Sequence, residues 1–170
     1  YLSMYTHPGQ KLLFMGCEFG QTSEWNVNNS LHWELLNYPS HQGLQKWVKS
    51  LNELYKSEEA MYGINYSPEG YEWIDYSDTE NTTLTFMRKS KKEYVIVVLN
   101  FAPVVRENYR IGIPEAGKYK EILNSDRLEF GGSDVKNPEV ISSMEITSHG
   151  RPYSLILTLP PLAGIILKKS

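Results

Sequence analysis

The clearest hydrophobic pattern of the chain lies in residues 40–62. Six apolar residues recur there at the i, i+3, i+4 and i+7 spacing of one helical face: Leu44, Trp47, Val48, Leu51, Leu54 and Tyr55. Ser40 follows a proline and is the predicted N-cap, while Gly63 stands where a helix of this length would end. The spacing predicts one helix over 40–62 that buries this face, Trp47 included.

After Gly70 the pattern changes to short runs rich in Val, Ile, Thr, Tyr and Phe, broken by Asp, Asn, Gly and Pro. Such runs predict strands joined by turns. We place about seven strands, at 71–76, 82–88, 94–101, 108–113, 119–123, 154–159 and 164–168. Residues 93–101 are apolar on both faces and predict a central buried strand. This density is typical of a two-sheet β-sandwich, which we expect the last strand to close.

A short apolar run, residues 11–14, precedes the helix and is followed by a polar stretch, 21–30. We expect a buried strand that feeds a long loop. A strand, a loop and a helix in series are the units of a parallel α/β barrel, whose functional loops leave the C-terminal ends of its strands. Residues 18–33 are therefore predicted on a functional face, with Glu18 directly after the strand and Trp25 in the loop.

Composition narrows the range of partners. The 170 residues are 41% apolar and 22% charged, which is enough hydrophobic material for a packed core. The net charge is −3, and the densest basic group stands beside a predicted turn: Arg88, Lys89, Lys91 and Lys92. We therefore expect no nucleic-acid partner. No run reaches the roughly 18 to 20 apolar residues of a membrane span, so we expect neither a membrane partner nor a secretion signal.

Metal sites and disulfides find no support in the sequence. Cys17 is the single cysteine, so it cannot form an internal disulfide, and no Cys/His group has the spacing of a zinc site. The acidic turn with Asp75, Asp78 and Glu80 matches no calcium-loop spacing. We expect no metal, no cofactor and a location in a reducing cytoplasm. Because residues 1–5 read like the tail of a helix and no initiator methionine is present, we expect the chain to begin inside a domain.

Several longer motifs point to one family. Near the start these are HPGQKLLFMGCEFGQTSEWN (7–26), SLHW (30–33), HQGLQKWVKSLNELY (41–55) and GYEWID (70–75). The later ones are VLNFAPVVRENYRIGIP (98–114), GKYKEILNSD (117–126), FGGS (130–133) and SHGRPYSLILTLPPL (148–162). In this order they resemble the bacterial 1,4-alpha-glucan branching enzymes of the alpha-amylase superfamily.

The resemblance implies a fold and a partner. Residues 1–63 would be the last strand and helices of a truncated catalytic (β/α)8 barrel, and residues 64–170 the antiparallel C-terminal β-sandwich of the superfamily. Members of the family cut an α-1,4-linked glucan and move its end to a 6-hydroxyl, which implies an α-glucan such as glycogen as the partner. That retaining chemistry uses two carboxylates about 5 Å apart.

The resemblance also implies that this chain carries no catalytic residue. The three catalytic carboxylates of the family lie on earlier barrel strands, and the third belongs to a His-Asp motif. No His-Asp pair occurs in these 170 residues. We therefore expect the isolated chain to be inactive.

Glu18 and Trp25 are the candidate substrate-binding residues, each with a second interpretation. The Glu18 carboxylate could face the glucan, or it could hold the loop by hydrogen bonds. The Trp25 indole could stack on a sugar ring, or it could pack against the protein. Tyr71 and Trp73 share one face of a strand and could form a surface glucan site or fill the junction between barrel and sandwich. For His41 and His149 we expect packing or loop bonding.

Other readings of the whole chain remain open. The parent could be another enzyme of the superfamily, such as a maltosyl-trehalose hydrolase or an isoamylase-type debranching enzyme. The β domain could bind glucan by itself, which requires exposed aromatic residues along a groove or strip, or it could be purely structural. Without the rest of a barrel, residues 11–14 and the long helix would expose apolar faces, so we expect self-association or a rearranged start of the chain.

Overall fold

The computed structural model describes residues 1–170 as three helices and eight strands. The helices are α1 (Leu2–Thr6), α2 (Pro39–Ser57) and α3 (Glu59–Tyr62). The strands are β1 (Tyr71–Asp75), β2 (Thr83–Lys89), β3 (Tyr94–Asn100), β4 (Arg106–Ile113), β5 (Lys118–Asn124), β6 (Ile141–Ser142), β7 (Tyr153–Leu159) and β8 (Ala163–Lys169). No helix has the length and apolar character that crossing a membrane requires.

The strands form two antiparallel sheets. The large sheet has the order β1-β2-β3-β8-β5-β6, and β4 pairs with β7 in a small second sheet. All seven predicted strands are confirmed, and only the two-residue β6 was missed. The last strand does not close the sandwich: β8 lies inside the large sheet, between β3 and β5. Its Ile165 and Leu167 face one core and its Ile166 the other, and a strand buried on both faces belongs at the centre of a sheet.

The first core fills the space between the two sheets. The large sheet contributes Ile96, Val98 and Leu167, and the small sheet contributes Ile111 and Leu157, all at most 1% exposed. These residues alternate with others along their strands, as the side-chain period of two requires. The prediction of a mainly β fold with a central third strand is confirmed.

The second core lies on the opposite face of the large sheet, where the helices pack. Val97 and Ile166 of the sheet belong to one cluster with Trp47, Leu51 and Leu54 of α2. The predicted apolar stripe of α2 is therefore confirmed as its buried face, with Trp47 7% exposed. Because this cluster also contains residues of α1 and α3, the helical segment and the sheet share one core.

The ends of the predicted helix are wrong. The α2 helix begins at Pro39 with Tyr38 as its N-cap, since the fixed φ of proline suits the first helical position. It stops at Ser57, because Glu58 has an extended backbone with φ −99° and ψ 105°. The Glu58 carboxylate there pairs with Lys168 of β8, and α3 then runs to Tyr62.

Residues 11–14 do not form the predicted buried strand. No strand lies beside this segment, so its backbone has no ladder partner. Leu12 is 78% exposed and Phe14 54% exposed, whereas Leu13 packs against the second core. A strand needs neighbours on both edges to be buried, and the described chain provides none here.

Candidate functional site

The loop that follows this segment carries both candidate residues. It turns sharply at Gly16 and Gly20, whose φ angles of +84° and +73° favour glycine, and these two residues flank a short 3-10 helix, Cys17–Phe19. Glu18 lies within this 3-10 helix and Trp25 lies further along the loop. The loop ends in a second 3-10 helix, Trp33–Asn37, directly before α2.

The 3-10 turn is held against the start of α2. Phe19 is fully buried, and its carbonyl oxygen accepts a hydrogen bond of 2.8 Å from Nδ1 of His41. The Trp33 ring covers Phe19 at a centroid distance of 5.2 Å while 54% of Trp33 stays exposed. The Tyr1 hydroxyl donates to the carbonyl of Cys17 at 2.7 Å. The predicted loop-bonding role of His41 is confirmed.

The Glu18 side chain is half-buried, and its carboxylate has no hydrogen-bonding partner in the chain. Glu18 lies close enough to the Tyr1 hydroxyl to affect its titration. Burial raises the pKa of the Tyr1 phenol, and the nearby Cys17 and Glu18 raise it further. The interpretation that Glu18 holds the loop by hydrogen bonds to its amides therefore lacks support in the geometry. An unpaired carboxylate beside a loop is free to accept hydrogen bonds from a ligand.

Trp25 is 44% exposed and packs against the exposed Phe14. The two rings meet edge to face, with centroids 5.6 Å apart and an interplanar angle of 75°. Such packing fixes the indole without covering it. The structure places Glu18 and Trp25 on one loop, on either side of the braced turn at Gly20, and leaves both accessible.

A second aromatic surface lies on the edge strand β1. The Trp73 ring is 5.2 Å from Tyr71 and 5.7 Å from Tyr76, and Trp73 and Tyr76 are 43% and 68% exposed. Beside it, a groove of about 380 Å³ is lined by Tyr71 and by Tyr66, which is 76% exposed. We call Tyr66, Tyr71, Trp73 and Tyr76 the aromatic strip. The prediction that Tyr71 and Trp73 share one face is confirmed, whereas Tyr66 and Tyr76 were missed although both flank the same motif.

The other polar residues singled out in the sequence stabilise turns. Asp78 accepts hydrogen bonds from Asn81, Tyr109 and Thr83. Burial raises the pKa of its carboxyl, but these hydrogen bonds outweigh burial and lower the pKa overall. Nδ1 of His149 accepts from the amide of Gly112 at 3.1 Å, so the loop-bonding role of His149 is confirmed. No group of three or more His, Cys, Asp or Glu residues is arranged to hold a metal ion.

Replacing His41 with alanine is expected to loosen the loop. The lost hydrogen bond contributes about 1 kcal/mol, so amides of residues 17–33 should exchange with solvent roughly fivefold faster. Hydrogen exchange followed by mass spectrometry measures this directly. His41→Asn should restore the protection because its amide can reach the same carbonyl. His7→Ala is the matched control, since His7 bonds only the adjacent Pro8 carbonyl. Equal exchange in wild type and His41→Ala would contradict the anchoring role.

Comparison with known proteins shows which family this chain resembles. Residues 73–170 match the family described as the alpha amylase C-terminal all-beta domain. The chain is 52% identical over 168 residues to the 1,4-alpha-glucan branching enzyme GlgB of Nitrosococcus oceani, covering 99% of the chain and 22% of that protein. It is 51% identical over 167 residues to GlgB of Aquifex aeolicus, covering 97% of the chain and 26% of that protein. The resemblance to bacterial branching enzymes is thus confirmed.

The chain spans about a quarter of the length of these relatives. Among solved structures, a debranching enzyme of Nostoc punctiforme superposes with a TM-score of 0.64 over 99% of this chain and 30% of that one, at 17% identity. At that identity the likeness concerns the fold alone. Since the family match covers more than half of the chain and agrees with its two antiparallel sheets, this chain belongs to the family of alpha-amylase C-terminal all-beta domains.

Proposed function

We propose that this chain is the C-terminal portion of a 1,4-alpha-glucan branching enzyme. The observation that carries the proposal is about 50% identity, along nearly the whole chain, to proteins of that name. The complete protein would act as a glycosyltransferase that moves an α-1,4-glucan segment to a 6-hydroxyl and so creates α-1,6 branches in glycogen biosynthesis. We propose the cytoplasm as its location.

The finer division of the chain is part of this proposal. Residues 1–63 would be the end of the catalytic (β/α)8 barrel and residues 64–170 its C-terminal domain. The exposed Leu12 and Phe14 support it, since an apolar run without neighbours fits a strand whose barrel partners lie outside this chain. The same bare surface would drive self-association of the isolated chain. With the catalytic carboxylates on earlier strands, the isolated chain would not branch amylose.

Glu18 and Trp25 would contact the glucan at the mouth of the barrel. An indole offers a flat apolar surface to the apolar face of a sugar ring, and a free carboxylate accepts hydrogen bonds from sugar hydroxyls. Both side chains are accessible and sit on one braced loop. The anchor at Phe19 favours binding at Glu18, because less conformational entropy is lost there when the ligand binds.

Replacing Trp25 with alanine is expected to weaken glucan binding by roughly fivefold or more, because the stacking surface is removed. Titrating the chain with maltoheptaose while following tryptophan fluorescence measures the affinity. In wild type the signal should change and saturate in the millimolar range, and Glu18→Gln should also weaken binding. Unchanged affinity in both variants would exclude this loop as the contact.

The aromatic strip is a second candidate for glucan contact. Its exposed Trp73 and Tyr76 meet the requirement for a glucan-binding module, namely accessible aromatic residues along a strip. Tyr71 also packs against the second core, which favours the structural interpretation for that residue. The same titration separates the two sites: a loss of affinity in Trp73→Ala but not in Trp25→Ala assigns binding to the strip. Absence of binding in wild type favours a structural domain.

A further inference from the structure

Lys11 differs from every other lysine of the chain, because it is half-buried and has no carboxylate partner. The other half-buried lysines are Lys89, Lys168 and Lys169, and each of them pairs with a glutamate. All remaining lysines are exposed. Lys11 therefore loses part of its hydration without gaining an opposite charge, and such burial disfavours an ammonium ion.

Two backbone carbonyls and one aromatic ring hold the Lys11 amine instead. Its Nζ donates to the carbonyl oxygen of His7 at 2.6 Å and to that of Gly9 at 3.0 Å. It also lies 5.2 Å from the centroid of the Tyr55 ring on α2. A neutral amine still has two N–H donors for these carbonyls, which leaves its lone pair free to react. The bond to His7 lies at the exposed surface, so small solutes can reach the nitrogen.

The buried guanidinium of Arg88 places a second positive charge beside the same segment. It donates to the carbonyl oxygen of Thr6 and to Oδ1 of Asn65, whose side-chain amide in turn donates to the carbonyl of Gly9. Burial lowers the pKa of the Lys11 ammonium to about 8, and the charge of Arg88 contributes to this shift. About a tenth of Lys11 is therefore a neutral, nucleophilic amine at pH 7.

We propose that Lys11 is a site of covalent acylation by a small acyl phosphate. The neutral Nζ attacks the acyl carbonyl carbon, the C–O bond to phosphate breaks, and inorganic phosphate leaves with the electron pair and takes the proton that the nitrogen loses. An anionic donor suits the site because Arg88 is close and no carboxylate pairs with Lys11. A small donor suits it because the Tyr55 ring and the two carbonyls surround the amine.

The modification would change the structure locally and involves no group of the proposed glucan contact. The product amide has a single N–H, so it can keep only one of the hydrogen bonds to His7 and Gly9. It also has no charge to place against the Tyr55 ring. Acylation therefore weakens the attachment of the segment that follows α1.

The test uses acetyl phosphate as the probe on the whole folded chain. The chain is incubated with it at several pH values between about pH 6 and 10, and acetylation of each lysine is quantified at low conversion by mass spectrometry of chymotryptic peptides. Lys46 and Lys120 are the internal controls, since both are exposed and neither pairs with a carboxylate. The same reaction in concentrated urea shows how far reactivity depends on the fold.

We expect Lys11 to be acetylated roughly tenfold faster than Lys46 and Lys120 near neutral pH. Its rate should level off above about pH 9 while the rates of the controls still increase, because each rate follows the neutral fraction of its amine. Urea should make the three rates equal. In whole-protein mass spectra the fast phase should be absent from Lys11→Arg and retained in Lys46→Arg. A folded chain in which Lys11 reacts no faster than the controls, or with their pH profile, overturns the proposal.

Discussion

Replacing Arg88 with leucine is expected to lower the free energy of unfolding by about 4 kcal/mol. Arg88 is fully buried on β2 and no carboxylate pairs with it. Its guanidinium donates to the carbonyl oxygens of Thr6 and Met61 at 2.9 Å each, and to that of Gly70 at 3.2 Å. Leucine would leave these three acceptors buried without a donor, and an unsatisfied buried acceptor costs free energy.

The effect should reach beyond β2, because the three carbonyls belong to α1, α3 and the turn before β1. Arg88→Leu should therefore loosen the whole helical layer. Urea denaturation followed by circular dichroism gives the change in midpoint. Lys91→Leu is the matched control, since Lys91 is exposed in the turn after the same strand. A loss below about 1 kcal/mol would show that water or neighbouring donors satisfy the carbonyls.

Replacing Leu51 with alanine is expected to destabilise the chain by about 3 kcal/mol. Leu51 is 0% exposed and lies in the centre of the second core, where α2 meets the large sheet. The substitution removes buried apolar surface and leaves a cavity that the rigid sheet cannot fill. Leu12→Ala is the control, because Leu12 is 78% exposed and its removal should change stability by less than about 0.5 kcal/mol.

The same variant tests whether the two sequence segments fold as one unit. Because the helices and the sheet share the second core, near- and far-ultraviolet circular dichroism should report one transition that shifts together in Leu51→Ala. If the helical signal were lost first and the sheet kept its wild-type midpoint, residues 1–63 and 64–170 would be independent domains. A shared shift would mean that the sheet needs the helical layer for part of its stability.

Local patterns predicted the elements whose burial depends on one strong periodicity. The stripe with Trp47 and Leu51 identified the buried face of α2, and alternation through Leu155 and Leu157 identified β7. The same patterns misread Glu58 and gave no sign that Arg88 is buried. Glu58 fits a helical run, yet it leaves the helix and pairs with Lys168, which is 110 residues away in the chain. Arg88 is followed by lysines and a turn, yet it is fully buried and donates hydrogen bonds to carbonyl oxygens of three other segments.

The candidate site also combines features that the sequence predicts with features that only the structure shows. The strand-loop-helix order placed Glu18 and Trp25 on a functional loop, and the family resemblance then implied a glucan as their ligand. Their surroundings required coordinates: the unpaired state of Glu18, the packing of Trp25 on Phe14 and the anchor at His41 all depend on the turn at Gly16 and Gly20.

The sequence alone determined the mainly β class, the seven main strands, the amphipathic α2 helix and the family resemblance. The elements follow from side-chain periodicity within short stretches, and the resemblance follows from the order of several motifs along the chain. Only the tertiary structure decided that β8 is central, that Leu12 and Phe14 stay exposed and that the helical segment covers the large sheet. These features depend on which distant segments meet, because burial and hydrogen-bond satisfaction are properties of contacts that no local pattern contains.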